Sequence, residues 1–447
     1  MERQLAAQGL SQAGSAAEAE LVVLNTCTVT SSADQDARSA IRRIHRENPD
    51  ARIMVTGCYA QRAPAEIASL PGVTWVVGNS HKHEVAEIAA APFSRGNAPP
   101  HSQNFVALET LARSSPAFTL VGDIFAHTEL IAAPVFAGES ITDRTRPILK
   151  VQDGCDNRCS FCIIPSVRGQ SRSMQLERVI HEANALVAAG YREIVLSGIN
   201  LGRWGRDFAP PQRFEQLVRA LLEHTAIEKI RISSVEPMDW SDELIALVAG
   251  SSRIARHAHV PLQSGSDRIL RRMHRKYHPW HYAEKIRKIR EAMPDAAIGA
   301  DVMVGFPGET GELFEESRSF IERLPFTYLH VFTYSSRPGT PSAAMPDQVP
   351  VHVARERNHV LRELAAEKNL AFRNKFLGHL LEVITLHTSD SDCTEGLSDN
   401  YLKVRLAGRH EANEILPVEV TEISHEGLVA VAREKAIAHA SLTGRIS

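Results

Sequence analysis

The sequence predicts an α/β protein in three parts: an N-terminal α/β domain, a partial (β/α)6 barrel and a small C-terminal β-barrel. Three observations lead there. Short, continuously apolar, β-branched runs alternate with helical stretches as far as Tyr334, as buried parallel strands and their crossovers do. The alternation loosens over residues 93–145 and resumes more regularly from Arg146. After Gly378 it gives way to short strands broken by Gly, Asp and Asn, the habit of an all-β module.

In residues 1–92 the strands are Glu20–Asn25, Arg52–Gly57 and the shorter Thr74–Val77, joined by helices over Ala33–Glu47 and Pro64–Leu70. Residues 93–145, with Pro99-Pro100 and Ser114-Ser115-Pro116, read as a linker. Residues 146–350 carry six candidate strands: Ile148–Gln152, Glu193–Ser197, Lys229–Ser233, His257–Leu262, Ile298–Val304 and Tyr328–Tyr334. The helices between them are Leu176–Ala189, Arg213–His224, Asp242–Ala249, His281–Ala292 and Gly311–Glu322. Serial β-α units build a parallel sheet that curls, with its site at the strands' C-terminal ends. Residues 351–377 form a connecting helix whose apolar stripe is Val353, Val360, Leu361, Leu364, Leu370 and Phe376. In residues 378–447 the strands are Leu381–Leu386, Tyr401–Arg405, Ile415–Val420 and Leu428–Ala432.

At 447 residues the chain exceeds what one core serves. A net charge of −3 gives no global attraction for nucleic acid, so any such contact must come from local patches. Six cysteines are too few for a disulfide framework and favour a reducing compartment. No apolar run reaches the roughly 18 residues of a membrane span, and no basic-plus-apolar leader opens the chain. The expectation is a cytoplasmic protein with no membrane partner.

Cys155, Cys159 and Cys162 form a C-x3-C-x2-C triad just after the first barrel strand. Clusters and structural zinc sites are normally closed by four ligands. Three thiolates leave one iron of a four-iron cluster open to a small molecule. The alternatives are unrelated buried cysteines or a zinc site with a distant fourth ligand.

The spacing resembles the signature of the radical S-adenosylmethionine (SAM) superfamily, in which the open iron chelates SAM. Further runs resemble one family within it, the methylthiotransferases: Leu-Asn-Thr-Cys-Thr-Val (24–29), Val-Thr-Gly-Cys-Tyr-Ala-Gln (55–61), Arg-Gly-Gln-Ser-Arg-Ser (168–173), Leu-Gln-Ser-Gly (262–265), Asp-Val-Met-Val-Gly-Phe-Pro-Gly-Glu-Thr (301–310) and Tyr-Ser-Ser-Arg-Pro-Gly-Thr-Pro (334–341). The likeness spans essentially the whole chain and is greatest to the type acting on threonylcarbamoyladenosine beside the tRNA anticodon. It rests there on the 168–173 run, on Leu-Ser-Gly-Ile-Asn-Leu-Gly-Arg-Trp-Gly (196–205) and on Ser-Asp-Asn-Tyr-Leu-Lys-Val (398–404). Family types that modify isopentenyladenosine or a ribosomal protein are the rivals, and a non-catalytic RNA-binding relic is another.

The resemblance implies two [4Fe-4S] clusters, SAM, a reducing electron donor, a sulfur donor and a tRNA anticodon loop as substrate. Cys155, Cys159 and Cys162 would ligate the radical cluster and be catalytic. Phe161, Gly198, Asn200, Ser234, Glu236 and Gln263 would line SAM. Arg168 and Arg172 beside the cluster, and Tyr401, Lys403 and Arg405 in a TRAM-like last domain, would meet RNA. The basic run 271–276 is a further phosphate candidate, against an ordinary solvated face. Cys27 and Cys58 would hold the second cluster. The family adds a third cysteine from an N-terminal loop, whereas this sequence opens at Met1-Glu2-Arg3 inside the expected first helix. The expectation is therefore a doubtful second cluster. Cys393 reads as an unremarkable thiol in an acidic loop.

Overall fold

The computed structural model describes residues 1–91, 117–126, 145–388 and 392–433. Its first sheet is parallel, β1 Leu21–Thr26, β2 Arg52–Gly57, β3 Val73–Gly78 and β4 Phe118–Leu120 in sequential order. The helix Ser31–Glu47 starts where the Thr30 hydroxyl accepts the Ala33 N–H, and it covers one face of the sheet with Ile41 and Ile44. Strand β4 lies within residues 93–145, so part of the expected linker completes this sheet; residues 92–116 and 127–144 lie outside the described residues.

Six strands then form the half-barrel: β5 Ile148–Asp153, β7 Glu193–Gly198, β8 Lys229–Ile232, β9 His257–His259, β10 Ala297–Val304 and β11 Tyr328–Thr333. The two-residue β6, Arg172–Ser173, pairs antiparallel with β5. The order β6-β5-β7-β8 continues through the parallel bridge Ser234–His259 into β9-β10-β11, so all six lie parallel in chain order. Among the described residues β5 and β11 do not pair. The main core lies between strands and outer helices, with Trp204 and Trp240 fully buried. Each large apolar side chain so buried contributes about 1.5–3 kcal/mol.

The helix Val351–Asn374 crosses behind β11 and leads to a closed barrel of β12 Leu380–Thr385, β13 Cys393–Ser398, β14 Lys403–Ala407, β15 Ile415–Ile423 and β16 Leu428–Ala432. The stretch around Cys393, read as a loop, is thus strand β13, and Cys393 is buried. This barrel packs against the N-terminal end of the larger one. Arg231 donates to the Ser398 and Asp399 carbonyls, and Lys229 pairs with Glu382 at 2.6 Å. No described helix is long and apolar enough to cross a membrane.

Candidate active site

The three-thiol loop leaves β5 at its C-terminal end. Gly154 makes the exit at φ +70°, and a Cβ there would lie 1.8 Å from the Gln170 carbonyl oxygen, so only glycine fits. The Cys155 N–H donates to the Gly169 carbonyl and the Cys162 N–H to that of Cys159. Ser160, wholly buried, ties the loop across the barrel by donating its backbone N–H to Met273 O and its hydroxyl to Arg272 O. Gln152 organises the floor: its amide donates to the carbonyls of Asp153 and Gly154, and its oxygen accepts the Asn200 N–H at 2.7 Å.

All three thiols are half-buried on one short loop. Burial pushes Cys155 upward and Cys162 up to about 12. Thiolates at such a site need a compensating positive centre. Arg275 supplies part of it, donating to Cys159 Sγ at 3.2 Å while its other amino group pairs with Glu236. Burial raises the Glu236 pKa and the Arg275 charge opposes that shift. In the sequence Arg275 belongs to the basic run 271–276, a candidate for phosphate contact or an ordinary solvated face; the structure instead turns it inward onto the thiol loop. No local signal distinguishes it from Arg271, which remains on the surface paired with Asp267.

The expected SAM-lining residues stand around this end of the barrel. Asn200 donates to Cys155 Sγ at 3.7 Å. Asn200 Oδ1 and Gln263 Oε1 are buried with no hydrogen-bond partner among the described residues. Gln263 sits at φ +65° on a bridge to Val302. Gly198 lies tight against Gln152, and Ser234 Oγ is 2.6 Å from His259 Nδ1. Phe161 packs edge-on to Phe306, ring centres 6.4 Å apart, among Ile269, Met273 and Met303. Orphaned acceptors beside a three-thiol loop suit a cluster with one open iron and a polar ligand on it.

Arg168 and Arg172, expected at the RNA surface, turn inward. Arg168 donates to Cys58 Sγ at 3.2 Å and to Asp153 at 3.3 Å, and the 3% exposed Arg172 donates to the Arg168 carbonyl. The buried Asp153 carboxylate draws both. Cys58, buried, packs on Ile163 and Val167 just beyond the triad, and its sulfur also accepts from Asn79. The β1–β2 register pairs Thr26 with Gly57, which sets the exposed Cys27 next to Cys58.

Tyr401 is not on a strand. It occupies the turn before β14 at φ +64° and stacks on His257 with centroids 4.3 Å apart. Lys403 and Arg405 lie exposed on β14, and Arg405 also donates to Cys393 Sγ at 3.0 Å. Tyr401 thereby borders a cavity of about 580 Å3 inside the half-barrel, which the sequence did not announce.

Three thiols on the first loop of a parallel half-barrel are the mark of a radical SAM enzyme, and the family model of the Radical SAM superfamily matches residues 149–321. Residues 1–78 match the model described as uncharacterized protein family UPF0004. Threonylcarbamoyladenosine tRNA methylthiotransferase MtaB of Bacillus subtilis (strain 168) is 40% identical over 398 residues, 88% of this chain and 83% of the relative. The MtaB of Aquifex aeolicus (strain VF5) is 36% identical, covering 90% of each chain. The tRNA-2-methylthio-N(6)-dimethylallyladenosine synthase of Thermobifida fusca (strain YX) is 34% identical over 94% of this chain and 79% of its own. Among solved structures, the radical SAM methyltransferase TsrM from Kitasatospora setae shares the fold, with a TM-score of 0.50 at 18% identity, covering 72% of this chain and 66% of that one. The chain belongs to the radical SAM tRNA methylthiotransferases.

Proposed function

We infer that this enzyme adds a methylthio group to C2 of N6-threonylcarbamoyladenosine at position 37 of tRNA. The observation that carries the chemistry is the three-thiol loop at the C-terminal end of β5, flanked by orphaned polar groups. Its relatives named for threonylcarbamoyladenosine support the substrate. Cys155, Cys159 and Cys162 hold the first cluster, which when bound supplies the electron that splits SAM and so the means to take hydrogen from an unactivated aromatic carbon.

The protein's part is positioning. Gln152 fixes the loop and Asn200 together, and Arg275 offsets thiolate charge while Glu236 holds its guanidinium. Gly198, Asn200, Ser234 and Gln263 offer the polar wall for SAM, and Phe161 an apolar one. Cys27 and Cys58 are proposed ligands of a second cluster, with Arg168 stabilising the Cys58 thiolate. Exposed Lys403 and Arg405 are proposed phosphate contacts. Electron and sulfur donors are required co-reactants. The deciding experiment is Cys159→Ala in anaerobically reconstituted protein: 5′-deoxyadenosine formation should disappear while the fold persists, and undiminished product refutes the assignment.

A further inference from the structure

The cavity in the half-barrel is walled by rings and polar groups. His259 of β9, Asp301 of β10 and His330 of β11 project from three adjacent strands, each offering one nitrogen or oxygen within 4.8 Å of the others. Asp301 Oδ1 lies 3.3 Å from both His259 Nε2 and His330 Nδ1. Both contacts sit at the long end of the hydrogen-bond range, leaving these groups able to turn toward a polar ligand. Ser233 Oγ, on the same wall, has no hydrogen-bond partner among the described residues. Tyr328 and the C-terminal domain's Tyr401 add aromatic faces 5.4 Å apart. Tyr401 keeps its left-handed backbone conformation here, a strain that persists only where its surroundings demand it. The cavity meets the SAM end of the barrel through the Ser234–His259 contact.

From this lining we propose that the cavity is the specificity pocket that seats the threonylcarbamoyl group of the target adenine, with Ser233, His259, Asp301 and His330 reading its ureido, hydroxyl and carboxylate groups. The inference rests on the function proposed above. C2 and C6, the carbon that bears the N6 substituent, flank ring nitrogen N1 on one edge of the base, so a base that presents C2 to the cluster end directs its substituent sideways from that end, onto the adjoining lumen wall. A five-carbon dimethylallyl group offers this wall no hydrogen bond and would strip water from Asp301 and two imidazoles. Sites built to hydrogen-bond a substrate reject an analogue that lacks those groups far more strongly than apolar pockets reject an added one.

The test compares kcat/KM on anticodon stem-loops bearing threonylcarbamoyladenosine or isopentenyladenosine. His330 is largely exposed to the cavity mouth, its side chain 55% accessible, so His330→Leu should fold. Ser233→Ala, which removes one hydroxyl, is a second variant should the first fail to do so. Each should lower kcat/KM for the threonylcarbamoyl substrate by up to about ten-fold, as loss of one hydrogen bond to the substrate does. The fall should be mainly in KM, and activity on the isopentenyl stem-loop should hold or rise. An unchanged ratio between the two substrates in both variants overturns the pocket. A native enzyme that modifies only the isopentenyl stem-loop instead overturns the substrate assignment beneath it.

Discussion

Burial keeps the His257 imidazole neutral at the foot of the cavity. Its pKa is lowered well below 6.5, first by loss of solvent and then by the nearby Arg231 charge. His257 Nε2 meets the Tyr328 hydroxyl at 2.7 Å, and the ring stacks on Tyr401, so a proton there would disturb the seam between two domains. The unfolded chain takes up this proton below its ordinary pKa while the native one does not. Stability is therefore undiminished above that value and is lost as pH falls beneath it, by at most about 1.4 kcal/mol per pH unit. Urea midpoints measured above and below pH 6.5 should diverge in the native protein and converge in His257→Gln. Asp301 lies in the same cavity, but its depressed pKa places its acid loss in a lower window, beneath the ordinary carboxylate value of 3.8. An equal slope in both proteins between those two windows would remove His257 from this account.

Between β10 and the long helix Val351–Asn374 the joint is ionic. Arg357 donates to Glu309 Oε1 at 2.7 Å and to its carbonyl at 2.9 Å, while the same carboxylate oxygen accepts the Gly305 N–H. Both residues are buried. Glu309→Ala should cost about 3–5 kcal/mol because it leaves the guanidinium buried without its charge partner. Glu309→Ala with Arg357→Met should recover much of that loss; a double variant as unstable as the single one would contradict the reasoning. Such joints explain what the sequence could convey. The six barrel strands were legible because an apolar period survives in the local sequence. The stripe drawn on the helix was less so: Leu370 is 46% exposed, while Arg357 and Arg373 are buried, each donating to groups distant in the chain. Strand β13 escaped notice because Thr-Glu-Gly-Leu-Ser lacks β-branched density, and Gly396 is needed where a Cβ would lie 2.4 Å from Val383. The cysteine triad was legible because its spacing is local. Arg275 was not, since it reaches Cys159 from 116 positions away.

Across the whole molecule the N-terminal domain is clamped to the barrel at Asp34. This carboxylate, 4% exposed, accepts from Arg62 of its own domain at 2.8 Å and from Arg337 of the barrel, itself 2% exposed. Arg337 also donates to Thr28 Oγ1 at 2.6 Å, one residue beyond Cys27, and the Ser31 N–H donates to Ser335 Oγ. The clamp thus fixes the loop that carries Cys27 above the barrel mouth, while Arg168 and Asn79 hold Cys58 from the other side. Arg337→Ala leaves Asp34 buried with one cation and should destabilise the docked domain by about 3 kcal/mol. The triad and its supports Gln152, Ser160 and Arg275 are untouched, so SAM cleavage should continue. If Cys27 and Cys58 hold a second cluster as proposed, transfer of the methylthio group should fall when they lose register with the triad. The measurement is the ratio of methylthiolated tRNA to 5′-deoxyadenosine, with limited proteolysis of the N-terminal domain alongside. A ratio and a cleavage rate both equal to the native protein's would show that Asp34 and Arg337 stabilise the interface without aligning the two sites.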